Sequence, residues 1–153
     1  MPGTVGRIPT PPAPVSAAAA RTDAAATVLG HDWAGTSLGP RTAWDPAVRA
    51  VVDLILASPV PMALAYGDDL VLLYNDAYAD LIGDKHPAAI GRPAAEVFPE
   101  LWHLPGVGDV MERIYRDGGT FLEKESSLPL GRGHGGVVEQ AVFTRGCSPV
   151  RDS

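Results

Sequence analysis

The chain has 153 residues, 46% of them hydrophobic and 20% charged, enough for one domain with a real apolar core. A formal net charge of −6 and a pI near 5.0 argue against a nucleic-acid-binding face, which needs basic surface. One cysteine, Cys147, excludes an internal disulfide and fits a reducing cytosol, and no run approaches the roughly 18 apolar residues of a membrane span.

Residues 1–30 are rich in Pro, Ala and Thr with few large apolar groups, so a flexible, disordered lead is expected. Pro9, Pro11, Pro12 and Pro14 interrupt any signal-peptide core, so a cytoplasmic setting is expected. "AAAARTDAAA" favours transient helix but shows no apolar stripe with which to dock. Residues 31–58 form an approach segment and a flanking helix. "HDWAGTSLGPRTAW" reads as irregular chain, after which Asp45 is placed to cap and Pro46 to open a helix over 46–57. Val48, Val51, Val52 and Ile55 give that helix an apolar face.

Residues 59 to 153 read as the main folded domain. Val60, Met62, Leu64 and Tyr66 alternate with smaller residues, Gly67-Asp68-Asp69 is turn chemistry, and 70–74 is apolar on both faces. The pattern predicts a hairpin whose second strand is covered on both sides. In "LVLLYNDAYADLIG" no loop separates strand from helix. Asn75 or Asp76 is placed to cap the helix at the join, and Gly83 to end it. Short pieces follow, "HPAAIG" and "RPAAEVFPELW". Next comes a helix in "PGVGDVMERIYRDGG", with an apolar stripe of Val107, Val110, Met111, Ile114 and Tyr115. Two more strands, "TFLEKESSLPL" and "GVVEQAVFT", are joined by the glycine-rich turn Gly131–Gly136. The order predicts an α+β domain with short helices on one face of an antiparallel sheet.

The segments "LLYNDAYADLIG", "KHPAAIGRPAAEVFPELW" and "SPVRD", with "DWAGTSLGPRTAW" ahead of them, resemble the PAS domains that precede bacterial sensor histidine kinases and SpoIIE-type protein phosphatases. The likeness covers about residues 31 to 152. It implies that short helices arch over the sheet around a cavity, for which Met62, Leu64, Tyr74, Leu81, Phe98, Trp102, Met111, Ile114 and Tyr115 are the candidate lining. It also implies a fifth strand after "SPVRD", between the first and fourth. The sequence stops at Ser153 before one forms, and Arg145-Gly146 weakens the strand character of "FTRGCSP". The expectation is a domain truncated before its last strand, with open sheet edges and marginal stability in isolation.

Catalytic and cofactor chemistry finds little support. A reactive flavin-site cysteine is missing from the helical region, and Cys147 reads as a structural or incidental thiol. His103 lies nearest the position of a haem ligand but reads as a solvent-facing helix end, and His86 falls in a loop. "GRGHGG" lacks the GxxxxGK-Ser/Thr pattern and a following helix. Ser126-Ser127, Asp109-Glu112 and the acids of "GDD" read as surface residues, and the histidines have no metal-ligand spacing.

The expected function is therefore a non-catalytic sensory or regulatory module, taking a small apolar ligand or a partner and relaying to an output kinase or phosphatase domain. The alternatives are a packed-core association module that dimerises through Val48, Val51, Val52 and Ile55, or an inactive truncated fragment. No metal, nucleic-acid or membrane partner is expected.

Overall fold

The computed structural model describes residues 23–131 and 137–151. Six α-helices are seen among them: α1 Asp23–Gly30, α2 Pro46–Ala57, α3 Asp76–Ile82, α4 Ala94–Val97, α5 Pro99–Trp102 and α6 Gly108–Asp117. The strands are β1 Ala63–Tyr66, β2 Val71–Tyr74, β3 Phe121–Gly131 and β4 Val138–Cys147, and short 3-10 turns occupy Trp33–Gly35, Arg41–Ala43 and Gly83–Lys85. The class is α+β, and one core runs from Ala24 to Leu130.

The first correction is at the N-terminus. Residues 1–22 lie outside the described residues, but 23–30 form α1, which rests on α3 and β2 with Ala24 and Val28 fully buried. Both ends are tied. The Ala24 N–H donates to Asp76 Oδ1 at 2.9 Å, and Trp33 Nε1 donates to the Val28 carbonyl at 2.8 Å. Ala24 and Val28 are one helical turn apart, and small side chains let the helix sit close to its neighbours; a stripe of large residues is not needed. The segment after it is equally fixed. Trp33, Trp44 and Tyr66 meet edge to face, and Trp44 Nε1 donates to the carbonyls of Leu38 and Gly39.

Helix α2 has the expected bounds. Asp45 Oδ1 accepts from the Ala47 N–H at 2.7 Å, and Pro46 opens the first turn. Its apolar face points inward: Val48, Val52 and Ile55 are buried in the chain's own core and Val51 is half-buried. This corrects their assignment to a dimer interface, because a side chain packed against its own domain has no face to give a partner. The large apolar residue that α2 exposes is Leu54.

The first hairpin pairs Ala63 with Tyr74 through Tyr66 with Val71. It starts later than the alternation suggests, since Val60 and Pro61 are exposed. Strand β2 is buried along its whole length. At its second edge Leu72 exchanges hydrogen bonds with Gly91 and Arg92 while Ala94 donates to Leu70, an isolated bridge centred on Val71 and Pro93. Both faces are covered as well, since alternate residues of the strand are all buried, as its apolar sequence requires.

The second hairpin pairs Phe121 with Cys147 through Gly131 with Val138, with a bulge between Glu123 and Ser126. Residues 132–136, the glycine-rich turn, lie outside the described residues. The expectation of a single antiparallel sheet is corrected: β1–β2 and β3–β4 are separate two-stranded sheets. They are joined through helices. The Lys85 ammonium and the Gly131 N–H both bind Glu100, and Arg145 Nη2 donates to the Gly106 carbonyl at 2.6 Å. Strand β4 also runs on through Arg145 and Gly146 to Cys147, despite their weak strand propensity. Arg145 is held by Glu123 at 2.7 Å and lies over the Phe121 ring, so a cross-strand pair outweighs intrinsic preference.

Candidate functional site

The strand-to-helix join is densely bonded. Asn75 is 1% exposed. Its Oδ1 accepts from the Tyr78 N–H at 3.0 Å, capping α3, and from the Met62 N–H at 3.2 Å, just before β1. Its Nδ2 donates to the carbonyls of Ile55, Ser58 and Val60 at 3.1, 3.1 and 2.7 Å. Two amide hydrogens serve three acceptors, so one bond is shared. A single amide thus fastens the end of α2, the approach to β1 and the start of α3. The sequence points to the cap. It does not point to the bridge, whose partners lie 13 to 20 residues away.

Asp76, the other candidate cap, does different work: it receives the N-terminus of α1. At the far end of α3, Gly83 adopts a left-handed φ of 57°, which suits a residue without Cβ.

The nine candidate lining residues separate into two groups. Leu64, Tyr74, Phe98 and Ile114 are buried in packed surroundings, and Met62, Leu81 and Met111 are half-buried. Trp102 and Tyr115 line an open cleft of about 360 Å³ beside the first hairpin's turn, together with Leu70, Ala95, Arg116 and the acids Asp68, Asp69 and Glu112. Tyr115 is half exposed, and its hydroxyl donates to Asp68. A smaller open cleft of about 250 Å³ lies between α1 and α2. The acids of the "GDD" turn are thus surface residues, as expected, but they also rim the larger cleft. That role depends on where α6 docks, which no local pattern encodes.

Behind the join, Tyr74 and Tyr78 lie ring to ring at 5.4 Å, and the Tyr74 hydroxyl meets His86 Nδ1 at 3.1 Å. Burial, then the neighbouring Tyr78, drives the Tyr74 hydroxyl well above the ordinary phenol range. Tyr78 is pushed up to about 12 by burial, then by nearby Cys147. Burial likewise raises the Cys147 thiol, partly offset by Arg145, which works against thiolate chemistry there.

Glu100 moves the other way. Burial alone would raise it, but hydrogen bonds from its own N–H, Lys85 and the Gly131 N–H hold it below the ordinary carboxylate range. His103 is exposed at the end of α5. Among the described residues no group of three or more His, Cys, Asp or Glu is placed to hold a metal, and no helix is long and apolar enough to cross a membrane.

Comparison of the chain with family models, with curated proteins and with solved structures found no match.

Proposed function

We propose that this chain is a non-catalytic sensory module of the PAS type, working in bacterial cytoplasmic signal transduction and relaying to a kinase or phosphatase domain. The observation that supports this most is Asn75. Its side chain bonds the end of the flanking helix α2 on one side and the first turn of α3 on the other, so a shift of the hairpin against its covering helices changes how α2 ends.

The input site in this reading is the cleft between the hairpin turn and α6. Its volume of about 360 Å³ falls at the lower end of the usual range for small-molecule sites, and Trp102, Tyr115 and Leu70 offer an apolar bed. A ligand moves the equilibrium only by binding one arrangement more tightly than the other. Contacts that span Tyr115 on α6 and Asp68 on the turn are suited to that discrimination.

Native mass spectrometry of the purified chain tests the reading. The expected result is a co-purifying small molecule that is lost on Trp102→Ala and Tyr115→Ala. Repeated absence of any bound mass refutes the ligand-sensing role. It would favour a second reading, a packed-core association module, which the tight burial of Leu64, Tyr74, Phe98 and Ile114 supports.

A further inference from the structure

We propose that β4 is a self-pairing edge: two copies of this chain join their β3–β4 hairpins, antiparallel, about a twofold axis at Val142. An open edge of a sheet offers a row of backbone donors and acceptors to any matching strand, and proteins normally guard such edges. Here the guarding is uneven. Strand β1 is only four residues long and follows Pro59 and Pro61. Strand β3 carries Pro129, a bulge at Glu125 with φ of 54°, and the charged run Glu123-Lys124-Glu125. Strand β4 is ten residues long, has no proline and pairs only with β3 among the described residues.

Its side chains favour a second copy over an unrelated strand. The outward-facing set, Val138, Gln140, Val142, Thr144 and Gly146, carries no charge, and Val138 and Val142 are 52% and 68% exposed. The two charged residues of the strand, Glu139 and Arg145, stand symmetrically on either side of Val142. Antiparallel pairing centred on Val142 therefore sets each Glu139 opposite the other copy's Arg145, twice by symmetry. Within each chain Arg145 already pairs with Glu123 across the hairpin. The dimer would thus continue a row of alternating charge, Glu123, Arg145, then Glu139 of the second copy. A register slipped by two residues breaks both ion pairs, so the charges also fix the alignment. The proposal is independent of the ligand-sensing reading.

Sedimentation velocity on the full chain, from about 1 to 100 µM, tests it. The expected result is a reversible monomer–dimer equilibrium. Val142→Lys should abolish it, and Glu139→Arg should weaken it about tenfold by placing like charges opposite each other twice. Both positions are exposed, so circular dichroism should show an unchanged fold. Glu139→Gln, which removes attraction without adding repulsion, should fall between wild type and Glu139→Arg. A chain that stays monomeric to 100 µM overturns the proposal; if its β4 amides are also protected from hydrogen exchange, the edge is filled from within the same chain. A dimer indifferent to Val142→Lys and Glu139→Arg overturns it equally.

Discussion

Asn75→Ala isolates the strand-to-helix junction. The substitution removes an N-cap acceptor, about 1 kcal/mol. It also strands the part-buried Met62 N–H, about 1 kcal/mol, and takes one donor from the Ile55 and Val60 carbonyls, which keep the Ser58 N–H and the Ser58 hydroxyl, so that loss adds up to about 1 kcal/mol. The sum is about 2–3 kcal/mol, a large share of the stability of an ordinary domain. With a urea slope typical of this size it lowers the midpoint by about 1.5 M. Tryptophan fluorescence follows the transition, since Trp33 and Trp44 are buried in the same core.

Asn75→Asp separates the two roles. It keeps the cap acceptor but turns an oxygen toward three carbonyls. Burial and those carbonyls raise the folded-state pKa of the new carboxyl above its unfolded value, so the deficit grows as pH rises from about 4. An Asn75→Asp variant with the wild-type midpoint at pH 7 would refute the bridging role and leave only a cap.

Four further predictions concern the rest of the fold. Val28→Ala removes two fully buried methyl groups and should lower stability by about 2 kcal/mol, measured by urea unfolding; no change would mean that α1 does not dock. Asp76→Ala should speed amide exchange in residues 24–28 while leaving β2 protected, because the Ala24 N–H loses its acceptor. Glu100 is held below its ordinary pKa, so its contribution is present above the unfolded value near 4.3 and is lost as pH falls through the folded value; Glu100→Gln should flatten that acid limb of the stability curve. At high pH the sign reverses. Tyr74 and Tyr78 are raised, so stability should fall as pH climbs above about 10, and phenolate absorbance should show these two tyrosines ionising late.

Elements whose signals are local were legible in the sequence. Asp45-Pro46 and the following stripe fix α2 to the residue, because capping and helical periodicity act within a few positions. The doubly apolar run at 70–74 and the amide behind it show that a covered strand enters a helix without a loop. What only the tertiary structure decided involves partners distant in the chain. The alanine-rich α1 docks where Asp76, 52 residues on, receives the Ala24 N–H of its first turn. Val48, Val52 and Ile55 have the same periodicity whether they face a core or a partner, and only folding turns them inward. The two hairpins remain separate sheets, and a ladder between them depends on how their edges lie in space, which no single strand's propensity specifies. Burial and long-range hydrogen bonding are properties of the assembled chain, so they decide what each locally coded element faces.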